Sequence, residues 1–243
     1  MARYAVLSDI HGNLQALQSV YGDMKSQDIH GVLLLGDIID YGMQSNEVVR
    51  FIRDEFQYPL LCNLWGNHEK AIMQSDYTRF SSERGIACAK KTASILDNDV
   101  KDYINNFLIQ EGIFEFELGK MKCLAVHGSL ENHYWESIIP EYVCGEYSGY
   151  NIVFSGHSHY AHMFTKFYDC VNTIMRNKDA VLFINPGSVG QPRNHHPEAQ
   201  YTVFDTSTLS VNMRSVAYDI EKAMSHYDES VDNFYRTRLQ RGI

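Results

Sequence analysis

Short apolar runs alternate with amphipathic stretches in the first quarter of the chain. The apolar runs lie at residues 4–8, 31–35 and 59–64, and the unbroken hydrophobicity of 31–35 is typical of a strand buried on both faces. Between them, apolar residues recur at helical spacing over 14–24, and residues 47–56 also favour a helix. This β-α-β-α-β order predicts right-handed crossovers and a largely parallel first sheet.

The remainder of the sequence continues this mixed pattern. It predicts helices at 83–96 and 100–108, a hairpin of 113–118 and 121–126, strands at 151–155 and 181–184, a hairpin of 201–204 and 209–214, and helices at 221–226 and 231–241. No repeat, low-complexity tract or linker interrupts the chain, so we expect one domain spanning residues 1–243.

Residues with oxygen or imidazole metal ligands follow the apolar runs. Five motifs share this placement, namely Ser8-Asp9-Ile10-His11-Gly12, Gly36-Asp37-Ile38-Ile39-Asp40, Gly66-Asn67-His68-Glu69, Val126-His127-Gly128 and Gly156-His157-Ser158-His159. One such motif would carry no information. Because ligands bind at the carboxyl ends of strands in open α/β sheets, five of them predict a metal centre along one sheet edge.

The donor types narrow the choice of metal. Two carboxylates, one amide and four imidazoles suit two borderline divalent cations, and Mn, Fe, Co, Ni and Zn all accept such mixed sets. No cysteine lies among the candidates, which disfavours a structural zinc-thiolate site. A shared carboxylate is the natural bridge between two metals, and Asp37 is the central candidate for it.

The net charge and the cysteine content restrict the expected binding partners and the expected cellular compartment. Thirty acidic against twenty-one basic residues give a net charge of −9, with no Lys or Arg run, so we expect no stable nucleic-acid or membrane partner. A phosphate substrate remains compatible, because bound metals reverse the local charge. Five scattered cysteines and the absence of a signal-peptide pattern predict reduced thiols and a cytoplasmic protein.

The five motifs, in this order, resemble the calcineurin-like metallophosphoesterase superfamily, whose pattern is Asp-x-His, Gly-Asp-x-x-Asp, Gly-Asn-His-Asp/Glu, a strand-borne His and Gly-His-x-His. The resemblance covers residues 9–159 and extends more loosely to the end of the chain. It implies a four-layer αββα sandwich of two mixed sheets flanked by helices. It also implies hydrolysis of phosphate esters by in-line attack of a metal-bound hydroxide.

The resemblance also implies a role for each matching residue. The first metal would be held by Asp9, His11 and His159, the second by Asn67, His127 and His157, and Asp37 would bridge them. His68 would assist the leaving oxygen as acid or charge stabiliser, and Asp40 would orient His68. Asn67 and His68 would also contact the substrate phosphate.

Residues 185–193 resemble the small prokaryotic branch related to phosphodiesterases and dinucleoside polyphosphate hydrolases. Within this Gly-rich stretch, Arg193 is a candidate phosphate contact, although Gly187 and Gly190 also suit a simple tight turn. A small phosphodiester or nucleotide substrate is slightly favoured on this ground. The alternatives are a phosphomonoesterase or protein-phosphatase-like activity, or a non-catalytic metal-binding scaffold.

The segment 132–150 lies outside the shared motifs and is rich in aromatic and acidic residues. We favour a packed flap or an interface for it. The competing hypothesis is that Tyr134 or Trp135 lines the cleft and stacks on a nucleobase.

Overall fold

The part of the chain that the structure describes, residues 2–171, 174 and 178–243 of a computed structural model, forms ten strands and seven α-helices. The strands are β1 (Arg3–Leu7), β2 (Gly31–Leu34), β3 (Leu60–Asn63), β4 (Ile113–Leu118), β5 (Met121–Val126), β6 (Ile152–Ser155), β7 (Ala161–Asp169), β8 (Lys178–Pro186), β9 (Ala199–Asp205) and β10 (Ser210–Val216). The helices are α1 (Leu14–Met24), α2 (Ser45–Arg50), α3 (Asn67–Gln74), α4 (Glu83–Ile95), α5 (Asn98–Phe107), α6 (Ile220–Ser225) and α7 (Asn233–Arg241).

The strands assemble into two mixed five-stranded sheets. The first has the order β10-β9-β1-β2-β3, in which β1, β2 and β3 run parallel, β9 is antiparallel to β1, and β10 is antiparallel to β9. The second has the order β4-β5-β6-β8-β7, with a parallel centre and an antiparallel strand at each edge. The predicted α/β fold with two mixed sheets and flanking helices is therefore confirmed.

Apolar side chains fill the space between the two sheets. Val6, Leu33 and Phe204 of the first sheet belong to one buried cluster with Ala125 and Phe154 of the second. The period-2 alternation of strands places these residues on the inner faces, where burying them supplies the main driving force for sheet packing. The facing sheets thus bring their strand ends to a common edge.

The outer faces of the two sheets are covered differently. On the first sheet, helix α1 contributes Leu17, Val20 and Met24 to a large buried cluster. On the second, Ile138 and Tyr147 of the segment 132–150 pack into a cluster with residues of β5, β6 and β8. The predicted packed flap is correct for this part of the segment.

Two elements differ from the sequence pattern. The predicted helix 47–56 begins at Ser45 and changes at Phe51 into a π-helical turn, Phe51–Glu55. Strand β7 was not predicted because it is an edge strand on which Met163 and Phe167 are exposed, so its apolar residues do not mark a buried face.

Among the described residues, no helix is both long and apolar enough to cross a membrane. All five cysteines are free thiols, and Cys62, Cys88 and Cys123 are buried. Burial raises the pKa of the Cys62 thiol to about 12, so this group is an unreactive core residue.

Candidate metal centre

The structure brings all nine motif residues to the edge where the strands end. Asp9 follows β1, Asp37 follows β2, and His127 follows β5 directly. Parallel strands end at the same sheet edge, so side chains from distant motifs meet there. The buried members of the cluster are Asp9, His11, Asp37, Asp40, Asn67, His68, His127 and His159, while His157 is partly exposed to the cleft.

The backbone at this edge is held in an unusual conformation. Left-handed φ angles are rare for residues with a Cβ, yet they occur at two candidate residues in each of three motifs. The φ angles are 54° at Asp9, 49° at His11, 55° at Asp37, 72° at Asp40, 65° at His157 and 60° at His159. Each costs on the order of 1–3 kcal/mol unless the surroundings impose it, and such strain concentrates at functional sites.

One glycine explains how closely the loops approach. A Cβ placed on Gly66 would lie 2.1 Å from Oδ1 of Asp37, closer than any side chain can come. Only glycine lets the chain pass Asp37 at this point, which sets Asn67 and His68 at the start of α3 beside the carboxylate.

The first donor group contains two imidazoles that face each other. Nδ1 of His11 donates to the Ile39 carbonyl and Nδ1 of His159 donates to the Gln191 carbonyl, at 3.2 and 2.7 Å. Since a carbonyl only accepts, both Nε2 atoms carry lone pairs, yet they lie 3.2 Å apart. Oδ1 of Asp9 lies 3.2 Å from Nε2 of His159 and has no hydrogen-bond donor.

The second donor group also brings potential metal ligands close together. Nδ1 of His127 donates to the Leu35 carbonyl at 2.7 Å, so Nε2 is the ring nitrogen that remains available to a metal ion. That nitrogen lies 3.0 Å from Oδ1 of Asn67, and the same oxygen lies 2.9 Å from Nδ1 of His157. Two ring nitrogens and an amide oxygen, all of them potential metal ligands, thus converge here.

Asp37 lies between the two groups. Its Oδ2 is 3.7 Å from Nε2 of His11 and 3.3 Å from Nε2 of His127, while Oδ1 accepts the backbone N–H of His68 at 2.9 Å. Burial opposes ionisation of this carboxyl, but His127 and His68 hold its pKa well below the usual range. One carboxylate oxygen therefore faces both groups.

Electrostatics favour cations in this cluster. Burial works against charge on His127, but Asp37 raises the pKa of its imidazole to about 9. In contrast, burial and His127 lower the pKa of His157 to about 3, and burial lowers the pKa of His11 and His159. Lone pairs that face one another are stabilised by a cation between them, and mixed N and O donors suit borderline divalent metals. The residues present fit two such ions.

His68 and Asp40 form a separate pair. Nδ1 of His68 donates to Asp40 at 2.6 Å, and Thr92 donates to the other oxygen of Asp40, also at 2.6 Å. Nε2 of His68 is 3.9 Å from Asp37. Burial lowers the pKa of His68, but Asp37 and Asp40 outweigh it and the net shift is upward. The imidazole is oriented and biased toward its protonated form.

Glu69, the last residue of its motif, holds the loops of the site together. It is fully buried and accepts backbone N–H groups of Gly66, Asp37, Ile38 and Ile39 at 2.7 to 3.1 Å. The carboxylate thus joins two of the metal-site loops. The Gly-Asn-His-Glu motif signals the residue, but its contacts with the second motif are tertiary.

Tyr41 is a further cleft residue that sequence reasoning missed. Its ring centroid lies 4.5 Å from that of His11 and 4.4 Å from that of His68, and it stacks on Tyr235 of α7 at 4.7 Å. Tyr41 therefore links the C-terminal helix to the site. It directly follows Asp40, which is the only sequence signal for it.

The turn after β8 supports the first motif. The backbone N–H groups of Val189 and Gly190 donate to the carbonyls of Ser8 and Asp9, both at 3.0 Å, and the Ser188 hydroxyl donates to the Asp9 carbonyl at 2.7 Å. The turn also carries Arg193 into the cleft, where the guanidinium Nε is buried without a hydrogen-bond partner.

We expect Gly190→Ala to distort the first donor group. The added Cβ would lie 1.8 Å from the Ile10 carbonyl oxygen, a backbone atom between Asp9 and His11 that cannot yield cheaply. Overpacking of this kind costs about 1–3 kcal/mol or more. Thermal unfolding should show the loss, whereas Gly149→Ala, whose Cβ would meet nothing within 4 Å, should leave Tm unchanged. Equal Tm values for both variants would contradict this account.

A cleft of about 510 Å³ opens over the cluster. Its walls include Arg193, Arg79, Phe80 and Trp135. Of the two aromatic residues proposed to line it, Trp135 does so, while Tyr134 lies over a neighbouring cavity.

Two facing mixed sheets with buried Asp, His and Asn donors at their common edge define a class of metal-dependent hydrolases. The chain belongs to the calcineurin-like phosphoesterase superfamily, whose domain model matches residues 3–209. It is 31% identical over 234 residues to an uncharacterized protein of Methanocaldococcus jannaschii, a match covering 94% of this chain and 92% of that protein.

Solved structures share the fold. A metallophosphoesterase from Sphaerobacter thermophilus is 24% identical, with 99% of this chain and 100% of that chain covered and a TM-score of 0.72. A hypothetical protein from Pyrococcus horikoshii OT3 is 20% identical, with 100% and 99% covered and a TM-score of 0.81. The family match makes this chain a hydrolase of the phosphoesterase superfamily, and the structure gives it a buried candidate metal site.

Proposed function

We propose that the protein is a dinuclear metal-dependent phosphodiesterase acting on a small phosphate ester or nucleotide. The observation that carries the proposal is the first donor group, in which the Nε2 atoms of His11 and His159 carry facing lone pairs 3.2 Å apart with no hydrogen between them. In this assignment one divalent ion takes Asp9, His11 and His159, the other takes Asn67, His127 and His157, and Asp37 is shared.

Two such ions, when bound, would polarise a phosphoryl oxygen and activate water near neutral pH. The chain's own residues would complete the reaction. The Asn67 amide and the Arg193 guanidinium would orient the phosphate, since a planar guanidinium matches phosphate geometry. The free Nε of Arg193 supports this role, because a buried unpaired donor is costly until a ligand satisfies it.

His68 would act on the leaving oxygen. Asp40 holds its Nδ1–H, so Nε2 is the atom that would deliver a proton as the P–O bond breaks. The raised pKa of His68 supports this assignment, because the protonated form is the one that donates. A buried, oriented acid of this kind favours an enzyme over a non-catalytic scaffold.

The primary experiment compares a diester with a monoester. Protein stripped by a chelator and reloaded with Mn²⁺ should hydrolyse bis-p-nitrophenyl phosphate faster than p-nitrophenyl phosphate. A preference for the monoester would favour a phosphomonoesterase or protein-phosphatase-like activity. No metal-dependent turnover of either ester, or of any nucleotide, would refute the proposal.

Metal addition should also stabilise the stripped protein. At a free metal concentration of about 100 times Kd, one site adds about 2.7 kcal/mol to the free energy of unfolding. For a chain of this size that raises Tm by roughly 5–10 °C. Scanning calorimetry of the wild type and of His127→Ala provides the measurement and its control, and the same rise in both proteins would disprove the assigned ligand set.

A further inference from the structure

A second cavity adjoins the metal cleft. Its volume is about 240 Å³, and its walls include Lys70 and Gln74 of α3 together with Asn132 and Tyr134. Arg79 and Trp135 line both this cavity and the metal cleft. These two side chains therefore form the partition between the two spaces.

The Phe80 ring connects the partition to His68. The Phe80 ring lies 5.0 Å from the His68 ring, and the Trp135 ring lies 5.5 Å from Phe80, both in edge-to-face geometry. Such contacts fix ring orientation. Because His68 is the proposed proton donor, the partition lies on the side of the reacting phosphate from which the leaving group departs.

Two cations border this region, and neither lies within salt-bridge distance of any carboxylate among the described residues, although Asp76 also lines the second cavity. The guanidinium carbon of the exposed Arg79 is 6.0 Å from the centroid of Trp135, and the Lys70 ammonium is 3.9 Å from that of Tyr134. Neither forms a salt bridge within residues 2–171, 174 and 178–243. The neighbouring Asp76 carboxylate accepts from the N–H and hydroxyl of Thr78 instead.

An aromatic ring and a free guanidinium side by side recognise a ligand that carries both a π-face and an anion. The ring face stacks on planar groups, and the guanidinium pairs with phosphate. A simple phosphomonoester would leave the second cavity unused, and so would a diester with a small alkyl leaving group.

We propose that Arg79 and Trp135 form a leaving-group subsite that selects substrates whose leaving group carries both an aromatic ring and a further phosphate. The inference rests on the proposed phosphodiesterase function and deepens it. Trp135 stacks on the ring, Arg79 binds the additional phosphate, and Lys70 supports it from the second cavity.

Two substrates distinguish the contribution of Arg79 from that of Trp135. Diadenosine diphosphate releases AMP, which has a ring and a phosphate, whereas bis-p-nitrophenyl phosphate releases a ring alone. Arg79→Ala should raise KM for the first at least about tenfold with little change in kcat, since it removes a charge-assisted contact. Arg79→Ala should change KM for bis-p-nitrophenyl phosphate less than about threefold. Trp135→Ala should weaken the binding of both substrates, because both leaving groups carry a ring that stacks on the indole.

Arg84→Ala is the matched control, because the Arg84 guanidinium lies over Phe234 at 4.0 Å rather than in the cleft. It should leave both KM values unchanged. If Arg79→Ala affects the two substrates equally, or no more than Arg84→Ala does, the subsite is disproved.

Product binding separates failure of the subsite from failure of the proposed reaction. Calorimetric titration with AMP should show affinity at least about tenfold weaker in Arg79→Ala than in the wild type, with orthophosphate binding unchanged. This result without turnover of any substrate would support the subsite and refute the phosphodiesterase function. Unchanged AMP affinity in both Arg79→Ala and Trp135→Ala would overturn the subsite whatever the turnover.

Discussion

Replacing Asp37 with Asn is expected to lower kcat/KM at least about a thousandfold. The substitution keeps the size of the side chain but removes the charge from the oxygen that lies 3.7 Å from His11 and 3.3 Å from His127. A bridging ligand supports both metals, whose charge stabilisation is worth several kcal/mol, and about 1.4 kcal/mol corresponds to tenfold in rate.

The measurement pairs kinetics on bis-p-nitrophenyl phosphate with elemental analysis. Wild-type protein should carry two metal ions and Asp37→Asn one or none. Its fold should persist, because the amide oxygen can still accept from the His68 N–H and the amide nitrogen can donate to Nε2 of His127. Asp102→Asn, at an exposed position of α5, is the control. Two retained ions together with wild-type activity would show that Asp37 is not the bridge.

Replacing His68 with Gln should produce a loss that depends on the leaving group. General acid catalysis contributes about 10²–10⁴-fold, and the contribution is largest where the departing oxygen is most basic. We therefore expect a loss of this size on a diester with an alkyl leaving group. The loss on bis-p-nitrophenyl phosphate should be less than about tenfold, because p-nitrophenolate leaves readily without a proton.

Metal content tests the distinction between His68 and the ligands. His11, Asp37 and His68 lie close enough together to be a third candidate metal group. The hydrogen bond from Nδ1 of His68 to Asp40 argues that this imidazole serves the leaving group instead. His68→Gln should thus keep both metal ions, and loss of one would reassign His68 as a ligand.

The His68–Asp40 pair also predicts how activity depends on pH. Asp37 and Asp40 raise the pKa of His68 against the opposing effect of burial. Activity that needs protonated His68 is present below this pKa and disappears as the pH rises through it. Asp40→Asn removes one of the two raising charges, so the alkaline limb of the kcat profile should move to lower pH. An unmoved limb would mean that another group controls it.

The positions of the candidate ligands at one sheet edge could be predicted because the signals for them are local in the sequence. Each motif carries its donor residues directly after an apolar run, and parallel strands end at a common edge, so the order of motifs already implied that the donors meet. The placement of Asp37 between the two groups followed from its position on the second strand. The confirmed family and the two mixed sheets rest on the same local signals.

The remaining features depend on contacts between residues far apart in the chain. Neither the four backbone hydrogen bonds of Glu69 nor the close passage of Gly190 over Ile10 leaves a periodic trace in the sequence. Strand β7 escaped prediction because its large apolar residues are exposed at a sheet edge.

The division between chemistry and selectivity has the same physical origin. Donor atoms for metals are a property of residue type and spacing, and the chain displays them openly in five motifs. On the wall of the cleft, Phe80 from the segment before α4 contacts Trp135 from the segment after β5, and the two meet only when the two sheets pack. The sequence pattern was therefore sufficient to predict the reaction class. Packing between distant segments determines the shape and charge of the surface that faces the substrate.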